Sequence, residues 1–276
     1  MKRILLTGAT GFVGKQIFKS LCEQGVEVVP VVRVGKESVF DNHSNVIRLV
    51  TSNDVFQQSA DWWECHCQDI DVVIHAAWYA EPGRYLHSPV NLSCLIGSLN
   101  LAKGAATAGV KRFVGVGTCF EYDLSAGLIS IETALNPLNA YSSAKAGLYI
   151  SLSRLLPNLS VQFAWCRLFY LHGEGEDERR LVAYLHKQLR NGEVAELTSG
   201  SQIRDYLDVS DAGRIIANVA LGEQGGPVNV CSGTPISVRE LAERISDQYA
   251  RRSLLRFGVR QDNPLDPPYV VGIPNY

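Results

Sequence analysis

Near its start the chain runs Arg3-Ile4-Leu5-Leu6-Thr7-Gly8-Ala9-Thr10-Gly11-Phe12-Val13-Gly14. A short apolar run here ends in three glycines, Gly8, Gly11 and Gly14, and a helical pattern of apolar residues follows and closes at Gly25. Glycines at such a turn let the backbone reverse sharply and let a pyrophosphate approach the N–H groups of the helix N-terminus. The pattern predicts a phosphate-binding turn. The alternative is an ordinary strand-to-helix turn, because a glycine triplet alone is a weak signal.

A second apolar strand strengthens the first interpretation. Residues 26–32 are almost continuously apolar, and they follow the helix at the distance expected of a strand–helix–strand unit. The sequence therefore predicts a dinucleotide-binding fold. The predicted cofactor contacts within the turn are Gly8, Thr10, Gly11, Phe12 and Val13.

The end of this second strand bears on the choice of cofactor. Folds that bind NAD usually carry an acidic residue there for the ribose 2′-hydroxyl, whereas this chain has Val32 and Arg33. A guanidinium suits a 2′-phosphate through bidentate charged hydrogen bonds, and a carboxylate would repel it. We therefore expect NADP in preference to NAD, the alternative being that Arg33 is a solvated surface residue.

Composition excludes several classes of function. The 276 residues include 26 Lys and Arg against 28 Asp and Glu, and the formal net charge of −2 gives no basic excess for a nucleic-acid partner. We find neither an apolar run of membrane-spanning length nor a signal-peptide pattern, so we expect a cytoplasmic protein without a membrane partner. Cys65-His66-Cys67 has poor spacing for a zinc site, so no metal is expected and the 7 cysteines are predicted to be reduced thiols.

Two further strands are predicted before residue 80. Residues 45–50 form the third strand, and a helix containing Val55, Phe56, Trp62 and Trp63 follows, with the tryptophans assigned to packing. The run Asp71-Val72-Val73-Ile74-His75-Ala76-Ala77 is apolar on both faces and predicts a buried parallel strand.

The carboxyl end of that strand is a predicted cofactor contact. Ala76 and Ala77 are small enough for a flat cofactor to lie close, since ligands of open α/β sheets bind outside the carboxyl ends of strands. His75 is interpreted as a hydrogen-bonded structural group in preference to a catalytic one.

A Tyr and a Lys stand four residues apart further along the chain. A long helix is expected over residues 88–108 with Gly109 as its C-cap, and a strand over residues 112–117 brings Thr118 to the same sheet edge. After the turn at Asn136-Pro137, Tyr141 and Lys145 lie on one helix face. An ammonium one turn away favours the phenolate and so lowers the tyrosine pKa from about 10, which suits Tyr141 to proton transfer with a substrate oxygen. Thr118 can hydrogen-bond that same oxygen.

Taken together, these segments resemble the extended branch of the short-chain dehydrogenase/reductase superfamily, the nucleotide-sugar epimerases, dehydratases and reductases. The likeness covers nearly the whole chain. Its matching segments are residues 7–14, residues 71–77, Asn91, Thr118, Tyr141 with Lys145, and residues 167–173, 204–211 and 228–233.

The resemblance assigns the catalytic residues. It implies that Tyr141 is the general acid/base, that Lys145 lowers the Tyr141 pKa and holds the nicotinamide ribose, and that Thr118 helps to polarise the substrate carbonyl.

It also assigns the binding residues. Phe169 is expected beside the cofactor and Tyr170 beside the substrate, and Arg204 is expected to grip the nucleotide diphosphate with help from Arg179. The family often has Asn and Tyr where this chain has Tyr170 and His172.

A second departure bears on the reaction. The 4,6-dehydratases place an Asp-Glu pair after the active-site Thr, whereas Cys119-Phe120 follows Thr118 here and Glu121 comes one residue late. Loss of water needs a positioned acid and base, so dehydration is disfavoured.

The predicted architecture is one α/β unit in two lobes. A doubly wound parallel sheet of the Rossmann type spans residues 1–167, and a smaller substrate-binding lobe interleaved with the sheet spans residues 168–276. Helices are expected over residues 208–221 and 237–245. The proline-rich residues 262–276 are expected to wrap the surface or be mobile.

These expectations lead to one functional prediction with two alternatives. The prediction is an NADP-dependent oxidoreductase that reduces the 4-keto group of a nucleotide-linked 4-keto-6-deoxyhexose, acting as a homodimer. The first alternative is an NAD-dependent nucleotide-sugar 4-epimerase. The second is a non-catalytic regulator that senses NADP, which the Tyr141–Lys145 pair disfavours.

Overall fold

The computed structural model of the chain describes residues 2–264 and 266–276. Within these two ranges, no helix is long and apolar enough to cross a membrane.

The described residues form seven α-helices and fourteen strands, joined by loops and short 3-10 turns. The helices are α1 (Phe12–Glu23), α2 (Ala60–His66), α3 (Val90–Thr107), α4 (Ala140–Asn158), α5 (Leu181–Asn191), α6 (Val209–Leu221) and α7 (Val238–Asp247). The strands are β1 (Arg3–Thr7), β2 (Glu27–Arg33), β3 (Val50–Ser52), β4 (Val72–His75), β5 (Arg112–Thr118), β6 (Leu128–Ile129), β7 (Gln162–Leu168), β8 (Tyr170–His172), β9 (Ala195–Glu196), β10 (Ile203–Asp208), β11 (Gly226–Val230), β12 (Pro235–Ser237), β13 (Leu255–Arg256) and β14 (Tyr269–Gly272).

A seven-stranded parallel sheet is the centre of the molecule. Its strand order is β11-β7-β5-β4-β1-β2-β3, and helices cover both faces. On one face α1 and α6 bury residues such as Ile17 and Ile216, and on the other α2, α3 and α4 bury Trp63, Leu101 and Leu148. Strands buried on both faces are continuously apolar, which explains the sequence of β1 and β4. The predicted doubly wound fold is confirmed.

A smaller lobe is built around a second sheet. Its strands follow the order β12-β10-β14-β6, and β8 also pairs with β10. Helices α5 and α7 enclose a separate apolar core beside the β9–β13 pair. The chain returns to the central sheet through β11, so residues after 168 contribute to both sheets.

Several local predictions differ from the structure. The third strand is β3 and not residues 45–50, because that segment makes one isolated bridge, from Val46 to Val28, and leaves Ile47 exposed. Val55 and Phe56 belong to a separate 3-10 turn before α2.

The C-terminal segment is more ordered than the sequence suggested. Residues 269–272 form β14, which lies between β10 and β6 and buries Val270 and Val271 in the lobe. Two buried apolar residues hold this segment in place, although prolines dominate the sequence before it. Leu265 of the same segment lies outside the described residues.

Candidate active site

The turn between β1 and α1 is shaped by close backbone approaches. Gly8 has φ +72°, and a Cβ there would lie 2.7 Å from the Ala77 N atom. A Cβ at Gly14 would lie 2.0 Å from the Gly8 carbonyl oxygen. Within the described chain, Gly11 at the N-cap of α1 provides no side-chain cap for the first-turn N–H groups. A bare turn at a helix N-terminus fits a bound pyrophosphate.

His75 supports this turn through a chain of buried hydrogen bonds. Ser98 Oγ donates to the Cys94 carbonyl at 2.6 Å, so it accepts from His75 Nε2 at 2.7 Å. His75 Nδ1 then accepts from Thr7 Oγ1 at 2.8 Å, and Thr7 Oγ1 accepts from the Ala77 N–H at 3.2 Å. Burial lowers the pKa of His75 to about 3, which keeps the ring neutral. The structural role predicted for His75 agrees with these contacts.

A cleft of about 600 Å³ opens at the carboxyl ends of the central strands. The Gly8 turn and Ala76 line one side, and Phe169 and Tyr170 line the other. Thr118, Tyr141 and Lys145 also line this cleft.

Local capping explains why Tyr141 lies at this point. The Asn139 side chain accepts from the Ser142 N–H at 3.0 Å, so α4 begins at Ala140 and Tyr141 is in its first turn. Lys145 follows one turn later on the same face. Thr118 ends β5, and its hydroxyl is hydrogen-bonded with the Tyr141 phenol.

The electrostatics of the pair differ from the sequence-based expectation. Burial raises the pKa of Tyr141, the neighbouring Tyr85 raises it further, and the hydrogen bond with Thr118 lowers it. The predicted lowering by Lys145 is not among these influences. Lys145 Nζ instead donates to the Val116 carbonyl at 2.6 Å and lies 3.9 Å from the Trp78 ring centroid.

Burial also acts on Lys145 itself. It lowers the pKa of the Lys145 ammonium, and the charge of Glu121 opposes that effect by raising it. The ammonium is therefore held inside the protein by a carbonyl, an aromatic face and a nearby carboxylate.

Arg33 lies at the cofactor edge of the sheet. Strands β1 and β2 pair in parallel with Thr7 opposite Val31, so Arg33 ends β2 beside the glycine turn. Its side chain is exposed, and it makes no hydrogen bond or ion pair within residues 2–264 and 266–276.

A buried arginine, Arg204, lies behind one wall of the cleft. Arg204 is 3% exposed, and its guanidinium carbon lies 5.3 Å from the ring centroid of the cleft residue Tyr170. It forms an ion pair with Asp266 at 2.7 Å. Arg204 thus lies directly behind the cleft wall that Tyr170 forms.

The second predicted diphosphate contact, Arg179, is not among the residues that line the cleft. It forms ion pairs with Asp177 at 2.8 Å and Glu81 at 3.8 Å, whereas the next residue, Arg180, lines the cleft. Arg180 is the N-cap residue of α5. The contact predicted for Arg179 stays a prediction, and Arg180 is a further candidate at the cleft.

Sequence reasoning missed the aromatic residues between β4 and α3. Trp78 and Tyr85 line the cleft, and the Tyr85 ring meets the Tyr141 ring edge-on at 4.8 Å. Trp78 is fixed by its Nε1–H, which donates to Asn91 Oδ1 at 2.9 Å. The signal was available, since Trp78 directly follows a strand whose carboxyl end was predicted to face the cofactor.

The chain has a parallel sheet with a bare glycine turn, and Thr118, Tyr141 and Lys145 lie at the carboxyl edge of that sheet. This combination defines a dinucleotide-binding oxidoreductase of the short-chain dehydrogenase type. Residues 4–231 match the model of the NAD dependent epimerase/dehydratase family. The chain belongs to this family of enzymes, as its resemblance to the extended branch predicted.

Individual relatives agree in fold over nearly the full chain. The dTDP-6-deoxy-L-talose 4-dehydrogenase (NAD(+)) of Aggregatibacter actinomycetemcomitans is 27% identical over 247 residues, covering 87% of this chain and 88% of the relative. A UDP-N-acetylglucosamine 4-epimerase from Methanobrevibacter ruminantium, in complex with UDP-N-acetylmuramic acid, has a TM-score of 0.85 and 21% identity, covering 99% and 89%. WbmG from Bordetella bronchiseptica, in complex with NAD and UDP, has a TM-score of 0.80 and 25% identity, covering 99% and 86%.

Proposed function

We propose that this protein is an NADP-dependent oxidoreductase that reduces the 4-keto group of a nucleotide-linked 4-keto-6-deoxyhexose. The observation that carries the proposal is that Thr118, Tyr141 and Lys145 line one cleft together with the glycine turn. The 27% identical relative supports the substrate class, since its name describes oxidation at C4 of a 6-deoxy sugar, the reverse of such a reduction.

The roles of the three residues follow from their positions. The bound cofactor supplies the hydride for the carbonyl carbon. Tyr141 donates its phenolic proton to the sugar O4, because its hydroxyl faces the cleft and is hydrogen-bonded with Thr118. The Thr118 hydroxyl donates a hydrogen bond to the same sugar O4. The Lys145 ammonium stabilises the negative charge that develops on this oxygen.

Binding is divided between the two lobes. In this proposal residues 1–167 hold the cofactor through Gly8, Gly11 and the first turn of α1, and residues 168–276 hold the nucleotide sugar. Tyr170 and Arg180 face the cleft, and Arg204 supports Tyr170 from behind. The Arg180 guanidinium suits a diphosphate, whereas that of Arg204 is buried and paired with Asp266.

Dehydration is disfavoured because the carboxylate nearest to Thr118 in sequence is not in the cleft. Glu121 is 0% exposed and is bound by Trp165 and Arg167 on the far side of the turn. Cys119 and Phe120, which line the cleft after Thr118, carry no group suited to acid–base removal of water.

A substrate panel tests the proposed reaction. Nucleotide-linked 4-keto-6-deoxy sugars, varied in base and sugar configuration, are incubated with NADPH, and absorbance and products are followed together. We expect NADPH to be consumed stoichiometrically with one 4-hydroxy product. The second candidate is the NAD-dependent 4-epimerase, favoured by the epimerase structures that share the fold. Interconversion of two 4-hydroxy sugars without change in the nicotinamide absorbance would establish it.

Cofactor selectivity is expected to depend on Arg33. NADPH should bind at least about tenfold more tightly than NADH, because a charged hydrogen bond to the 2′-phosphate contributes about 1.5–3 kcal/mol. Fluorescence titration of both cofactors against the native protein and Arg33→Ala measures this, with the exposed Arg48 replaced as control. Equal dissociation constants in the native protein would show that Arg33 is a surface residue and would favour NAD.

We also propose a homodimer formed through α3 and α4. Leu92 and Ile96 on α3 are 62% and 52% exposed, and Ile150 on α4 is 53% exposed. Pairing these apolar faces with those of a second copy would remove them from water. Light scattering at micromolar concentration is expected to give twice the 30.3 kDa of one chain. A particle of one chain mass would count against the dimer.

A further inference from the structure

Glu121 is a buried carboxylate beneath the floor of the cleft. Its Oε1 accepts from the Thr118 N–H at 2.9 Å, and both carboxylate oxygens lie 3.0 Å from Trp165 Nε1. Its Oε2 accepts from Arg167 Nε at 2.7 Å, which completes an ion pair with 0% and 1% of the side chains exposed. The backbone of a reacting residue, Thr118, is therefore tied to a buried charge.

The surrounding residues are arranged to fit this carboxylate. A Cβ at Gly117 would lie 2.2 Å from Trp165 Nε1 and 2.4 Å from Glu121 Oε1, so the strand leaves room for both. Arg167 is held in turn, because its Nη1 donates to the Tyr122 hydroxyl at 2.9 Å and that hydroxyl donates to Asn229 Oδ1 at 2.8 Å.

Fold stability alone gives little reason for this charge. Taking an ion pair out of water carries a desolvation cost, and well-packed apolar residues of similar volume often serve as well or better. The cleft side of Glu121 offers another reason. Lys145 Nζ lies 5.8 Å from the centroid of the Trp165 ring, and the Nε1–H of that ring donates to both Glu121 oxygens at 3.0 Å. Trp165 therefore places the carboxylate near the ammonium, and the negative charge of Glu121 favours the charged form of Lys145.

The groups that face Lys145 come from four elements. They are the Glu121 carboxylate after β5, the Cys94 thiol on α3, His75 on β4, and Tyr141 on α4 beside the Trp78 ring. Burial raises the pKa of Cys94 and lowers that of His75, so both are neutral near pH 7. The carboxylate of Glu121 favours the charged form of Lys145 and opposes the effect of burial on its pKa.

We propose that Glu121 is a positioning residue of the reaction, whose buried carboxylate fixes the Thr118 turn and provides, across the Trp165 ring, the negative charge that faces the Lys145 ammonium. This role rests on the proposed function, which gives Thr118, Tyr141 and Lys145 their parts in the reaction. Arg167 balances the charge of Glu121 from the side remote from the cleft.

The sign of the effect follows from the charge. The carboxylate raises the pKa of Lys145 and also that of Tyr141. Its removal lowers both, so Lys145 loses its proton at a lower pH and Tyr141 ceases to be an acid at a lower pH. Reduction needs both groups protonated. Without the Glu121 charge, the pH above which the reduction rate falls should therefore be lower than in the native enzyme.

The first experiment measures kcat/KM for reduction against pH in the native enzyme and in Glu121→Gln. We expect the alkaline limb to move down by about one pH unit or more, the size of effect expected of one nearby buried charge. Tyr122→Phe is the matched control, because it removes hydrogen bonds of the same network and leaves every charge in place. The alkaline limb of its pH profile should therefore stay at the native pH. A Glu121→Gln enzyme with reduced kcat and an unmoved limb would overturn the proposal.

The second experiment needs no turnover. Lysine labelled with ¹³C at the ε-carbon is incorporated, the Lys145 signal is assigned from its loss in Lys145→Met, and its titration midpoint is compared between native protein and Glu121→Gln. We expect a lower midpoint in the variant, and an equal midpoint would refute the role of Glu121. If no nucleotide sugar is reduced by the native protein, the proposed function fails and this titration still decides about Glu121.

A variant that retains the charge covers the case in which Glu121→Gln does not fold. Glu121→Asp keeps the carboxylate and shortens its reach to the Thr118 N–H. We expect the titration midpoint of Lys145 in this variant to stay at the native value. The kcat should fall, because the shorter side chain holds the Thr118 N–H less well. A lowered midpoint in Glu121→Asp, or an unchanged kcat, would contradict the proposal.

Discussion

Replacement of Tyr141 by Phe is expected to lower kcat by a factor of about 10²–10⁴, the usual contribution of a positioned general acid. The substitution removes the hydroxyl that is hydrogen-bonded with Thr118 and keeps the ring that packs edge-on against Tyr85 at 4.8 Å. Cofactor affinity should stay close to the native value, because this hydroxyl is assigned to proton transfer. Steady-state kinetics together with fluorescence titration of the cofactor measure both quantities.

A second tyrosine on α4 serves as the matched control. Tyr149 is on the same helix, and its ring packs against Arg167 and Trp165 outside the cleft. Tyr149→Phe removes a phenol from the same element and should leave turnover near the native value. If Tyr141→Phe retained most of its activity, the general acid would be another residue.

Replacement of Lys145 by Ala should impair both cofactor binding and turnover. Its Nζ is buried in the cleft floor, between the Val116 carbonyl and the Trp78 ring. Loss of a charged hydrogen bond of about 1.5–3 kcal/mol to the nicotinamide ribose would weaken cofactor binding roughly 10-fold to 100-fold. The developing negative charge on the sugar oxygen would also lose its nearest cation.

Lys145→Met separates the charge from the volume of this side chain. Met fills much of the space that Ala would leave empty, so its thermal stability should lie closer to the native value. Both variants should show the same defect in cofactor dissociation constant and kcat. Native cofactor affinity in Lys145→Met would mean that the ammonium does not contact the ribose.

The parts predicted from sequence are those fixed by local spacing. The glycines of the β1–α1 turn and the Tyr141–Lys145 pair lie within single strand–turn–helix units, so their geometry follows from helical and strand periods. The central sheet was predictable for the same reason, since buried parallel strands are continuously apolar.

The parts not predicted depend on contacts between distant segments. Arg180 lines the cleft, whereas Arg179 forms ion pairs with Asp177 and Glu81 and is not among the lining residues. Glu121 lies beneath the floor because Trp165 and Arg167 of β7 bind it, which its distance from Thr118 in sequence could not reveal. Likewise, burial dominates the Tyr141 pKa, and burial is a property of the whole fold.

The proposed reaction is tested most directly by following one hydrogen atom. NADPH carrying deuterium at the transferable position of the nicotinamide is incubated with the preferred nucleotide-linked 4-keto-6-deoxy sugar, and the product is analysed by NMR and mass spectrometry. We predict one deuterium at C4 of the sugar for each NADPH oxidised, with the proton on O4 coming from Tyr141 and exchanging with solvent. A product without deuterium at C4, or a 4-hydroxy sugar inverted with no NADPH oxidised, would contradict the account.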